Sequence, residues 1–248
     1  PGAGRNAISY REDWIETSEK KDVLVLSLEF KKQDYPFEAY HLGGVIKYHN
    51  LEQQGKRMVG SNQFYLDERG LEYQTNPDKK KWIFSDFDRV FTLVREKTNS
   101  KQVGYDIFGH SAGGQILHRL VLLYPETQAQ RIIAANSGFF TLPDTSQVYP
   151  FGLKGIPLDS RQWRRAFQKQ LIVMAGDKDN GEEKGGTLLR STSADRQGLH
   201  RLARARFFYD FARKMRQEAD FAWEYLEVPG VGHEHEKMAQ AAAEYLYH

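Results

Sequence analysis

The stretch from Tyr105 to Leu123 constrains the fold more than any other part of the chain. Tyr105-Asp106-Ile107-Phe108 reads as a buried strand and Gln115–Leu123 as an amphipathic helix, joined directly by Gly109-His110-Ser111-Ala112-Gly113. A strand that feeds into a helix through so tight a turn needs glycines, and strands followed by helices are the building unit of a parallel sheet. The same alternation runs along the chain. Val23–Leu28, Arg131–Ala135, Leu171–Ala175 and a run within Trp223–Val228 are short and apolar. Helical patterns lie between them, roughly Tyr10 to Lys20, Ser85 to Lys97, Ala112 to Leu123, Gly198 to Glu218 and Glu234 to Tyr247. In the second, Phe87, Val90, Phe91 and Val94 form one apolar stripe. Near-continuous apolar strands, each with a helix after it, predict an α/β fold: a mostly parallel sheet with helices on both faces.

Two stretches fit neither period. Residues 31–80 are rich in Gly, Tyr, Asn and charge, and residues 141–165 carry Pro143, Pro150, Gly152, Gly155 and Pro157. Both read as long excursions over the sheet edge, where binding sites are often built, and 141–165 is the candidate lid. No repeat, low-complexity tract or linker divides the 248 residues, so 1–248 is expected to form one domain. With 35 basic and 33 acidic side chains the net charge is +2, which gives no case for a nucleic-acid or anionic-membrane partner. No apolar run is long enough to span a bilayer. The absence of cysteine excludes disulfides, thiolate metal sites and a cysteine nucleophile, and leaves the compartment open between cytoplasm and export.

Gly109-His110-Ser111-Ala112-Gly113 has the pattern Gly-x-Ser-x-Gly in its required setting, with the serine at the apex of a strand-to-helix turn. A serine hydroxyl is a weak nucleophile unless a base takes its proton. In this architecture an acid and then a histidine should follow, each in a loop at the carboxyl end of a strand. Gly176-Asp177-Lys178-Asp179-Asn180-Gly181 follows one strand, and Val228-Pro229-Gly230-Val231-Gly232-His233 ends the last. Ser111, Asp179 and His233 are therefore the expected triad. Asp179, deeper in its loop, is preferred to Asp177, whose alternative role is to cap the loop. His235 already belongs to the final helix, and His110 is expected to pack under the turn. The oxyanion formed on attack needs two N–H donors. Ala112 supplies one, and Ala3 in the early loop Pro1–Asn6 the other; His41-Leu42-Gly43-Gly44 is the alternative loop.

These residues resemble the α/β-hydrolase superfamily, and within it bacterial poly(3-hydroxyalkanoate) depolymerase-like and feruloyl-esterase-like hydrolases. The segments that carry the resemblance are Gly-Ala-Gly-Arg-Asn-Ala at 2–7, Phe-Gly-His-Ser-Ala-Gly-Gly at 108–114, Ala-Ala-Asn-Ser-Gly at 134–138, Gly-Asp-Lys-Asp at 176–179 and Val-Pro-Gly-Val-Gly-His at 228–233. The resemblance implies an esterase that works through an acyl-enzyme on a small or polymeric ester, without cofactor. Pro1 stands where such proteins usually carry histidine, and the early strands that precede this loop in the family are missing from the chain, so upstream sequence is expected. A peptidase, an acyltransferase or a silent binding protein on the same scaffold is the alternative. The oligomeric state is not readable.

Other patterns have plainer readings. His233-Glu234-His235-Glu236 lacks the spacing to converge on a metal ion, and Asp177–Gly181 lacks the far glutamate of a calcium loop, so no metal is expected. Arg196, Arg201, Arg204, Arg206, Arg213, Lys214 and Arg216 are read as the solvated face of an amphipathic helix in preference to a phosphate-binding face. Tyr149, Phe151 and Trp163 are the candidate substrate-binding aromatics, or else they hold their loop in place.

Overall fold

The computed structural model describes residues 1–50, 55–181, 185–216 and 220–248. Along the chain the helices are α1 (Ala7–Glu12), α2 (Ile15–Lys21), α3 (Phe37–Tyr40), α4 (Phe84–Thr98), α5 (Ala112–Leu123), α6 (Ser160–Gln168), α7 (Thr192–Gln197), α8 (Arg201–Met215) and α9 (His235–Leu246). The strands are β1 (Ile46–His49), β2 (Lys56–Met58), β3 (Gln63–Leu66), β4 (Tyr73–Thr75), β5 (Tyr105–His110), β6 (Ala129–Ala135), β7 (Gln170–Gly176), β8 (Leu188–Arg190) and β9 (Glu224–Val228).

The central sheet has the order β5-β6-β7-β9 and is parallel throughout. Its register sets Ile107 beside Ile132, Ile132 beside Leu171, and Val173 beside Tyr225. Side chains alternate across a strand, so β6 and β7 feed two cores. Ile132, Ala134, Leu171 and Val173 point to the face covered by α5 and α8, where they meet Leu117, Leu120 and Phe208. Ile133, Ala135, Ile172 and Met174 point to the opposite face and pack on Met238, Ala239 and Ala242 of α9. Burying one such aliphatic side chain stabilises the fold by about 1.5–3 kcal/mol, which is why both faces must be covered. Apart from the exceptions below, the expected strands and helices around this sheet form within a few residues of their predicted bounds, and the end of the helix expected over Gly198–Glu218 lies outside the described residues.

Three expectations need correction. Val23–Leu28 makes no ladder: Leu24 and Leu26 are 69% and 52% exposed, and the segment faces β5 across a cleft of about 600 Å³. A strand needs a neighbour within hydrogen-bonding distance, and among the described residues β5 pairs on one side only, with β6. The helix expected over Tyr10–Lys20 is two, broken where Trp14 turns inward to pack 5.5 Å from the ring of Phe108. Residues 31–80 and 141–165 are not loops alone. The first holds α3 and β1 to β4, with β1 and β4 paired antiparallel; β2 and β3 form a second small sheet that β8 joins in parallel. The second runs into α6, which starts at a reciprocal cap between Asp159 and Gln162. Among the described residues no helix is long and apolar enough to cross a membrane.

Candidate active site

The site lies at the carboxyl ends of β5, β7 and β9. Ser111 follows β5 with φ 58° and ψ −114°, while its amide still reaches Ala135 O at 2.9 Å. The glycines around it are required by contact. A Cβ on Gly109 would fall 2.6 Å from the backbone of Gly113, and one on Gly114 would fall 2.6 Å from Ala135 O. The turn can therefore press against β6 only without side chains.

His233 bridges the other two residues. Its Nδ1 is 2.8 Å from Asp179 Oδ2 and its Nε2 is 3.1 Å from Ser111 Oγ. Asp179 and His233 are 2% and 9% exposed. Burial lowers the proton affinity of His233, the bond to Asp179 opposes that shift, and the positive charge of Arg201 adds to it. The net direction is downward, which favours the neutral imidazole.

Asn136, just past β6, fixes the two loops that carry these groups. Its Oδ1 accepts from the Gly176 amide at 2.8 Å, and its Nδ2 donates to Gly232 O at 2.7 Å. Sequence reasoning did not single it out. Asp177 does not reach the histidine; its carboxylate accepts the Gly230 amide at 2.8 Å and so caps the neighbouring loop. His235 sits on α9, bonded at 2.6 Å to Asp13 and stacked 4.4 Å from the ring of Tyr10. His110 is buried behind His233, its ring centre 4.5 Å away and its Nδ1 3.0 Å from the Tyr10 hydroxyl.

The early loop lies against the elbow. A Cβ on Gly113 would fall 2.9 Å from Pro1 O, and one on Gly2 would fall 3.6 Å from Ser111 Cβ. Ala3, next to Gly2, is exposed, whereas Ala112 is buried at the start of α5. The alternative loop is packed elsewhere: Gly43 and Gly44, both at positive φ, press on the Phe84 ring and on the backbone of Lys81 and Trp82.

The aromatic candidates are placed differently from one another. Tyr149 is buried, donates to Leu42 O at 2.7 Å and lies 5.7 Å from the Arg119 guanidinium. Phe151 is buried against Phe139, and Trp163 stacks on Phe167 along α6. All three have packing partners. The arginine stretch also departs from expectation, because Arg201 and Arg204 point inward. Arg204 donates to Gly138 O at 2.6 Å and to Gly198 O at 2.8 Å. Among the described residues no group of histidine and carboxylate side chains could hold a metal ion.

No protein-family model matches the chain, and no curated protein does. Solved structures do. Poly(aspartic acid) hydrolase-1 from Sphingomonas sp. KT-1 superposes with a TM-score of 0.83 at 34% identity, over 100% of this chain and 85% of that one. The chain belongs to the α/β-hydrolase family, among its depolymerase-like hydrolases. A second member, the poly(3-hydroxybutyrate) depolymerase LpqC from Bordetella parapertussis, matches this α/β-hydrolase with a TM-score of 0.81 at 28% identity, over 99% of this chain and 77% of that one. Both neighbours are hydrolases of polymers, and hydrolysis is the general activity that this kinship supports.

Proposed function

We propose that this α/β-hydrolase cleaves carboxylic esters through a Ser111–His233–Asp179 triad and an acyl-enzyme intermediate. The observation that carries the reading is His233, bonded on one side to Asp179 and on the other to Ser111 Oγ, with the serine in the strained turn between β5 and α5.

The chemistry follows from the protonation states. Neutral His233 takes the Ser111 proton on Nε2 as Oγ attacks the ester carbonyl. The carbonyl oxygen becomes an oxyanion in front of the Ala112 amide, which as the first residue of α5 has no partner within its own helix, and of the Ala3 amide on the loop against the elbow. Asp179 keeps the imidazole in the tautomer with hydrogen on Nδ1 and stabilises the imidazolium. The imidazolium then protonates the departing alkoxide. Water, deprotonated by the same histidine, releases the acid and restores Ser111.

Reaction with a fluorophosphonate, read by intact mass and peptide mapping, tests the triad. A single adduct on Ser111, lost in Ser111→Ala and slowed in His233→Ala, is the expected result; a folded protein that takes no adduct would remove the reading. A second reading, hydrolysis of an amide polymer, is favoured by the kinship to a poly(aspartic acid) hydrolase. A panel of esters, oligomeric 3-hydroxybutyrate and oligoaspartate separates the two by which bond is cut.

A further inference from the structure

Arg201 opens α8 with 4% of its surface exposed, an unusual place for a cation that cannot be neutralised. Its Nη1 donates to Asp179 Oδ1 at 3.2 Å and to Gly185 O at 3.4 Å, and its Nη2 donates to Thr187 O at 3.1 Å. The next amide of the helix, Leu202 N–H, holds the Asp179 carbonyl at 3.0 Å. The two carboxylate oxygens are thus divided: Oδ1 faces the guanidinium and Oδ2 faces the imidazole. The strand of chain that Arg201 grips on its other side lies over the histidine. A Cβ on Gly186 would come within 2.9 Å of His233 Nε2 and 3.1 Å of Arg201 Nη2.

We propose that Arg201 is a positioning residue of the triad, which locks Asp179 in line with His233, ties it to the 185–187 turn over the imidazole, and places a fixed positive charge behind the relay. The inference rests on the triad reading above. A guanidinium taken out of water is stabilised only where its donors are used; here both Nη groups are used, on the acid of the triad and on the turn that roofs it, while Nε has no partner among the described residues. The charge has a second consequence. It opposes a proton on His233, so it keeps the imidazole neutral to lower pH. Among the described residues, the other groups around His233 are Asp179 from the loop after β7, His110 from β5, His235 from α9 and the neighbouring Glu234, whose carboxylate accepts the Gly232 amide at 3.0 Å. Arg201 is the fixed cation in this set.

The test is the pH dependence of fluorophosphonate labelling at Ser111 in the wild type, Arg201→Lys and Arg201→Gln, with thermal unfolding measured alongside. This readout needs no knowledge of the substrate. In Arg201→Gln the acid limb is expected to move upward by about one pH unit. The rate on the plateau should fall by on the order of tenfold, because the carboxylate is no longer held. Arg201→Lys keeps the charge and loses the fork, so its limb should stay near the wild type while its plateau falls. A limb in Arg201→Gln that coincides with the wild type overturns the proposal. If Arg201→Gln does not fold, a plateau in Arg201→Lys equal to the wild type does so instead. No labelling of the wild type at any pH would remove the triad itself, an outcome distinct from both.

Discussion

At the scale of single residues, the site depends on backbone positions that only a few side chains tolerate. Ser111 occupies φ 58°, a left-handed conformation that a non-glycine residue keeps only when its surroundings enforce it. Here the β6 carbonyl that takes its amide and the glycines around it enforce it, and the side chain is left projecting toward His233. Ser111→Ala removes the hydroxyl and none of these constraints. Its expected effect is a fall in kcat of at least on the order of a thousandfold, with the melting temperature within a few degrees of the wild type. Ester hydrolysis and differential scanning calorimetry on the same sample check both halves. Gly186 is the opposite case. It sits at φ 63°, and a methyl there would stand 2.9 Å from the nitrogen of His233 that faces Ser111. Gly186→Ala should therefore slow fluorophosphonate labelling and also cost about 1–2 kcal/mol, from strain and overpacking together. Labelling at the wild-type rate would mean that the 185–187 turn yields without disturbing the histidine.

At the scale of elements, one side chain ties the ends of two strands to the loop that follows a third. Asn136 joins the end of β6 to the end of β7 through Gly176 and to the loop of His233 through Gly232. Asn136→Ala leaves two buried backbone groups without their partners, at about 1–3 kcal/mol each. The expected result in urea unfolding is a loss of that order. It should come with a lower kcat and a nearly unchanged KM, because the loops carry the proposed acid and base. The sequence made the elements of the central sheet legible, since β5, β6, β7 and β9 are apolar runs with helices between them, and the placement of Ser111, Asp179 and His233 followed from the ends of those runs. Asn136 and Arg201 were not legible. An asparagine after a strand looks like any turn residue, and helical periodicity does not say which of several arginines faces inward. The small sheets escaped for a different reason. β2, β3 and β8 have three or four residues each, too few for a period, and β3 takes β8 as its partner from far along the chain. Val23–Leu28 failed in the reverse direction: a strand-like pattern forms no ladder without a neighbouring strand.

At the scale of the whole molecule, the histidines make stability a function of pH, and the sign is fixed by burial. Burial first of all pushes His41 down to about 4, and it pushes His110 and His118 well below the ordinary imidazole range; His233 is lowered by the same cause. The unfolded chain takes up protons on these groups as pH falls through about 6.5, while the folded chain does not. Their contribution is therefore fully present above that pH and is lost progressively below it, at about 1.4 kcal/mol per pH unit for each proton excluded by the fold. The acid limb expected of the proposed chemistry belongs to His233, whereas the loss of stability sums over these four and over His200, which burial also lowers. Acidification should accordingly lower the urea midpoint between pH 7 and 5 more steeply than one imidazole accounts for. His118 isolates one member of the sum. Its Nδ1 lies 3.1 Å from Gly114 O and its Nε2 accepts the Thr141 amide at 2.9 Å, a pair of bonds that only the neutral ring satisfies. His118→Gln keeps a donor and an acceptor but cannot titrate. It should flatten the dependence of stability on pH by about one proton, whatever it does to stability at pH 8. A slope unchanged from the wild type would show that His118 takes its proton as readily in the folded molecule as in the unfolded one.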